Sequence, residues 1–265
     1  MGAALAPVWR KPVTIRKKFT ICGWTRPGLP VRMEFSPAPA GTGIVLNSEL
    51  RADIRHARVK NHTTVLIRNR CRVSLVEHLL AACAGMGITD LQLTIDRDEL
   101  PFNDGSSLLF ARQLKNAGIT GRTEPFYLAT PVAVAGTRSL IIALPAPHLK
   151  ISCLIDYPQT GPQFFSTVIT PERFLREIAP ARTFGPADPA LKPLLDRLPF
   201  RVKMVDGWLF PAEPRFRAEP CRHKILDLLG DLALFGRPLR AELFAYNPGH
   251  RLNLKLVRQL RKEAV

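Results

Sequence analysis

No Cys-x-x-Cys pair occurs in this chain, and its five cysteines (Cys22, Cys71, Cys83, Cys153 and Cys221) are scattered and odd in number. That argues against a disulfide framework and against a thiolate zinc site, and for a reducing, cytoplasmic setting. No stretch approaches the run of about 18 apolar residues that a membrane-spanning helix needs. Residues 1–12 lack the apolar core of a signal peptide, being interrupted by Pro7 and charged at Arg10 and Lys11. Acidic groups are scarce: 22 Asp and Glu stand against 38 Lys and Arg, a formal charge of +16, and the sequence pI is near 10.3. Such a field attracts nucleic acid, anionic membrane surfaces or phosphorylated small molecules. The cations are dispersed and form no long tail, so a solvated basic surface accounts for them as well as a partner-specific patch does.

What is present describes an ordinary globular protein, with 46% hydrophobic and 23% charged residues. Its 265 residues suffice for one large domain or two small ones. The first half alternates as strands do, at Val13 to Ile21, Val31 to Phe35 and Thr63 to Ile67, with Gly- and Pro-rich turns between. A helix is expected from about Ser74 to Gly85, where Val76, Leu79, Leu80 and Cys83 form an apolar stripe. Leu91 to Ile95 reads as a strand and Ser107 to Ala117 as a second helix. Gly118 to Pro125 reads as a linker. The second half repeats the sequence of strands, helix, strand and helix. Its strands are at Phe126 to Val134, Ser139 to Leu144 and Leu149 to Tyr157. A polar, Pro-rich passage runs from about Pro180 to Cys221, then a helix from Arg222 to Phe235, a strand from Arg240 to Tyr246 and a helix from Leu252 to Glu263. The expectation is an α+β chain of two similar modules, residues 1–122 and 123–265.

The polar residues of the two first helices carry the chemical signal. On the helix after Arg222, His223, Asp227 and Asp231 fall within roughly 80° of one another, opposite an apolar arc. His and Asp one turn apart can reach one metal ion, and a catalytic zinc takes three protein ligands with one position open. The same spacing also serves ordinary ion pairs. In the first half, Glu77 and His78 stand together at the head of an apolar run. A carboxylate beside a ligating histidine is placed to act as general base on the attacking water, although a Glu in a first turn is also favoured by the helix dipole. His250 follows the turn Asn247-Pro248-Gly249, where it could serve as general acid or be a plain surface histidine. Thr183-Phe184 is a polar and aromatic pair with no independent chemical signal.

Five motifs, in order, carry a resemblance. They are Val76-Glu77-His78-Leu79-Leu80-Ala81-Ala82, Asp104-Gly105-Ser106, Ala181-Arg182-Thr183-Phe184-Gly185, Arg222-His223-Lys224-Ile225-Leu226-Asp227 with Gly230-Asp231-Leu232, and Gly249-His250. Over nearly the whole chain they resemble the UDP-3-O-acyl-N-acetylglucosamine deacetylase (LpxC) family. The resemblance implies two β-α-α-β sandwich modules packed face to face, with the active site at their interface. It implies zinc-dependent removal of acetate from a UDP-linked acylated amino sugar, the committed step toward lipid A. Carried onto this chain, His78, His223 and Asp227 would bind Zn²⁺, with Fe²⁺ also admitted by such a donor set. Glu77 would be the base, His250 the acid that protonates the leaving amine, and Asp231 the group that orients its ring. Thr183 would help polarise the acetyl carbonyl, and Lys224 and Phe184 would contact the sugar nucleotide. The resemblance further implies a cytoplasmic monomer with no nucleic-acid partner and with room for peripheral contact with the inner membrane surface.

Three departures from the family pattern bear on the substrate, one of them the strong positive charge. Gly23-Trp24-Thr25-Arg26-Pro27-Gly28 replaces the family's early Gly-Leu-His-Ser-Gly turn. The stretch from Gly185 to Cys221 is shorter than usual and lacks the Gly-rich, Asn-containing segment that helps build the acyl-chain passage. Two other readings therefore stand beside the first. One is a divergent deacetylase of another N-acetylated sugar nucleotide, which predicts a narrow or blocked passage near residues 186–215. The other is a non-catalytic basic binding module, which predicts Lys and Arg clustered on one face and strongly salt-dependent binding.

Overall fold

Pro30–Pro37 shows how the sequence builds its sheets. Val31, Met33 and Phe35 are buried while Arg32 and Glu34 between them are exposed, the period-two pattern of a strand with one face on a core. The computed structural model describes residues 13–264; the reading of residues 1–12 as lacking a leader lies outside them.

The first half runs β1 (Thr14–Ile15), β2 (Phe19–Trp24), β3 (Pro30–Pro37), β4 (Ile44–Leu46), β5 (Leu50–Arg51), β6 (Ala57–Lys60), β7 (Thr63–Arg68), β8 (Cys71–Ser74), α1 (Glu77–Gly85), β9 (Leu91–Ile95), α2 (Leu108–Asn116) and β10 (Ile119–Thr120). The second runs β11 (Phe126–Tyr127), β12 (Val132–Gly136), β13 (Ser139–Pro145), β14 (Lys150–Tyr157), β15 (Gly161–Val168), α3 (Pro171–Arg173), β16 (Gly185–Pro186), α4 (Lys192–Leu195), β17 (Val202–Val205), β18 (Trp208–Pro211), α5 (Glu219–Leu232), β19 (Leu239–Tyr246) and α6 (His250–Glu263). The protein is thus a mixed α+β fold.

The halves share a topology. The first main sheet has the order β2-β3-β9-β4-β5 and the second β12-β13-β19-β14-β15. At each matching step the pairing has the same sense: antiparallel throughout, except β9 with β4 and β19 with β14, which are parallel. A parallel step needs a crossover connection, and in each half that crossover carries a helix, α1 or α5. Each crossover also carries a small sheet, β6-β7-β8 in the first half and β16-β18-β17 in the second.

The two crossover helices pack against each other. α1 is buried nearly all round, as expected of a helix apolar on every face. The contact is close because Gly230 of α5 lies on the backbone of α1, where a Cβ would collide with the Glu77 carbonyl oxygen.

Some boundaries differ from the sequence expectation. α1 starts at Glu77 rather than Ser74, because Ser74 ends β8 and Leu75 turns the chain at φ 63°. A turn at residues 16–18 divides the first expected strand, and Phe126 to Val134 holds two strands rather than one. The Pro-rich passage carries the sheet β16-β18-β17, and α6 begins at His250, ahead of Leu252.

Candidate metal centre and its acid–base partners

Burial of α1 against α5 sets the first group of side chains. His78 sits in the first turn of α1, and His223 and Asp227 are one turn apart on α5. His223 Nε2 lies 3.3 Å from Asp227 Oδ1, and His78 Nε2 lies 3.9 Å from the same oxygen. The imidazole rings are 5.1 Å apart and nearly perpendicular. One donor atom from each residue falls within 4.8 Å of the others, and all three residues are buried. Two ring nitrogens and a carboxylate oxygen facing one point fit an open zinc site.

The surroundings fit too. His223 Nδ1 lies 3.1 Å from the Ala181 carbonyl oxygen; donation there leaves Nε2 with a free lone pair for a cation. Lys224 Nζ donates to the other Asp227 oxygen at 2.6 Å. Ser107 Oγ donates to the His78 carbonyl at 2.6 Å and ties down the head of α1. Burial and the nearby His223 push the His78 pKa down to about 3, which keeps its ring neutral. Burial works to raise the Asp227 pKa, but His223 and Lys224 outweigh it and hold Asp227 well below the usual carboxylate range. A neutral imidazole and an ionised carboxylate are the forms that bind metal.

Beside this triad stand a carboxylate and a histidine with opposed properties. Burial raises the Glu77 pKa to about 7, against the opposing pull of His250. Glu77 Oε2 accepts from the Thr64 backbone N–H at 3.1 Å. His250 Nδ1 is 2.8 Å from Asp231 Oδ2, and its Nε2 points toward Glu77 Oε1 at 3.8 Å. Burial works to lower the His250 pKa, but the charge and hydrogen bond of Asp231 prevail and raise it to about 9. Asp231 also accepts from Thr64 Oγ1 at 2.6 Å and Asn253 Nδ2 at 2.9 Å. A carboxylate that ionises near neutrality beside a histidine that keeps its proton is a pairing able to serve general base and general acid chemistry.

A family model described as UDP-3-O-acyl N-acetylglycosamine deacetylase, LpxC, matches residues 13–197 and 199–262. The chain belongs to the LpxC family. Its relatives include the UDP-3-O-acyl-N-acetylglucosamine deacetylase of Chlamydia felis, 36% identical over 256 residues, with 89% of this chain and 91% of the relative covered. That of Solibacter usitatus is 36% identical over 250 residues, covering 88% and 85%. That of Thermosynechococcus vestitus is 33% identical over 291 residues and covers the whole of both chains.

In this LpxC chain the triad, Glu77, His250, Thr183, Phe184 and Lys224 all line one cleft of about 930 Å³. Asp231 lies directly behind His250 rather than in the wall. The loop bearing Thr183 is fixed by the buried pair Arg182–Glu219: Arg182 donates to the Glu219 carboxylate from its backbone N–H at 2.9 Å and from Nε at 2.8 Å. Phe184 belongs to an aromatic group with Tyr157, Trp208 and Phe210, at centroid distances of 6.3, 5.9 and 5.5 Å. Lys224 Nζ sits 5.4 Å from the Phe184 ring centre. From these residues the cleft continues between Leu191, Leu195, Leu198 and Phe200.

Sequence reasoning missed Thr64, Asn253, Tyr157 and Trp208. Thr64 reads as one more strand residue; only the fold shows that its backbone and hydroxyl hold different carboxylates. Asn253 sits three residues after His250 on α6, the spacing that places two side chains on one face. That signal was readable once the helix start was known.

Proposed function

We propose that this chain is a metal-dependent amidohydrolase that takes the acetyl group from UDP-3-O-acyl-N-acetylglucosamine on the route to lipid A, with Zn²⁺ at His78, His223 and Asp227. The observation that supports it best is the buried triad with Glu77 and His250 on its flank, in a chain whose relatives bear that activity in their names. We also read the repeated topology as two modules, residues 1–122 and 123–265, meeting at α1 and α5.

His78, His223 and Asp227 would hold a divalent cation, which would supply the Lewis acidity that activates water and polarises an amide carbonyl. Glu77 accepts the proton of the attacking water as the new C–O bond forms. His250, charged and held by Asp231, gives the Nε2 proton to the sugar nitrogen as the C–N bond breaks, so that acetate and a free amine leave. The Thr183 hydroxyl donates a hydrogen bond to the oxygen that gains charge. Phe184 packs against the sugar, and Lys224 offers a cation to the substrate while holding Asp227 in place. The basic surface suits a diphosphate substrate.

The apolar reach of the cleft suits the acyl chain. A divergent enzyme without that chain would have a narrow or blocked passage near residues 186–215, whereas Leu191, Leu198, Phe200 and Trp208 line the cleft there. The test is acetate release from the acylated substrate and from UDP-N-acetylglucosamine side by side, with metal content measured on the same sample. Release from the acylated substrate, abolished by a chelator, is the expected result. Bound metal with turnover of the unacylated sugar alone would overturn the substrate.

A further inference from the structure

A second cavity, of about 230 Å³, lies at the other ends of the helices that carry the triad. Ala84 and Gly85 at the end of α1 and Leu229 and Leu232 in the last turn of α5 form part of its wall. His78 is seven residues from Gly85, so the cavity is about 10 Å along the helix from the metal centre. Its floor is apolar, with Ile44, Ile88 and Leu239, and its charged lining is cationic: Arg51, Arg237 and Arg240. No Asp or Glu is among its lining residues.

Helix C-termini favour cations, which could account for the arginines without a ligand. The backbone here is already served. The N–H groups of Met86, Gly87 and Ile88 donate to the carbonyls of Ala82, Ala84 and Cys83. Arg261 Nη1 donates to the Phe235 carbonyl at 3.1 Å. Guanidinium groups pair best with carboxylate or phosphate oxygens.

We propose that this cavity binds a small amphiphilic anion, with a carboxylate or phosphate head on the arginines and a short alkyl chain over Ile44, Ile88 and Leu239. The volume is below that of drug-sized ligand sites, which run from about 300 Å³ upward, and so sets a small ligand. The site is separate from the deacetylase cleft and does not depend on the function proposed for it. A ligand there braces the ends of α1 and α5.

Calorimetric titration of the full chain with octanoate, octyl phosphate and octanol tests the proposal. The expected result is one anion bound per chain, and octanol at least about tenfold weaker. Whichever of octanoate and octyl phosphate binds more tightly identifies the head group. Arg240→Gln and Arg51→Gln should each weaken the anion by about tenfold, and Ala84→Leu, which fills the cavity, should do the same without touching a charge. Octanol binding as tightly as the anions would overturn the proposal. So would anion binding that survives Arg240→Gln and Ala84→Leu but is lost in Leu198→Arg, which would place the alkyl chain in the active-site cleft.

Discussion

Glu77 and His250 occupy the same dry corner, and their protonation is set by different neighbours. Burial, helped by the charges of Asp227 and Asp231, raises Glu77, whereas Asp231 raises His250 in the face of burial. Glu77→Ala should therefore leave metal content intact and lower kcat by about 10²- to 10⁴-fold; unchanged turnover would remove Glu77 as the base. For the acid, the rate should fall as pH rises through about 9, where His250 loses its proton. Asp231→Asn takes away the charge that holds that proton, so the alkaline limb should move to lower pH as kcat drops. A limb that stays in place would separate it from His250. The same interaction bears on stability. The His250 pKa is raised on folding, so its contribution is fully present below about 6.5 and lost as pH rises through about 9. Thermal melts of the wild type against Asp231→Asn should show the difference between the two proteins shrinking across that window.

The central element is the helix pair, and its spacing is set by a residue with no side chain. Gly230→Ala would press a methyl group against the Glu77 carbonyl oxygen, and backbone cannot swing away as a flexible side chain can. We expect about 1–3 kcal/mol of destabilisation. Metal retention should weaken as well, because the ligands sit on both helices; a variant that melts early but holds metal as tightly would show the pair to be less rigid than its packing implies. Both helices were legible in the sequence because their apolar residues recur at helical spacing over several turns. Glu77, His78, His223 and Asp227 were legible as the polar exceptions to that spacing. The sheet β16-β18-β17 was not, because its strands have two to four residues, too few for an alternation to register among prolines. The head of α1 was misjudged for a different reason. Leucine seldom adopts positive φ, so nothing local marks Leu75 as the residue that ends a strand and turns the chain into a helix. It can do so because its side chain is buried with Phe102 and Leu194, whose positions only the tertiary fold determines.

On the scale of the molecule, the repeated strand order explains why the site needs residues from 64 to 253: one half brings Thr64, Glu77 and His78, and the other brings His223, Asp227, Asp231, His250 and Asn253. An ion at the triad joins helices from both halves, so removing it should be felt in stability as well as in rate. Free zinc at a hundredfold over its Kd stabilises the native state by about 2.7 kcal/mol, and a chelator should lower Tm accordingly. A melt indifferent to chelator would mean that the halves hold together without the ion. The joint reaches beyond catalysis. Chains that open more often are cleared more often by cellular proteases, so on the proposed reading scarcity of the ion would shorten the life of the polypeptide as well as idle it. Supply of one trace element would then set both how fast each copy works and how many copies persist.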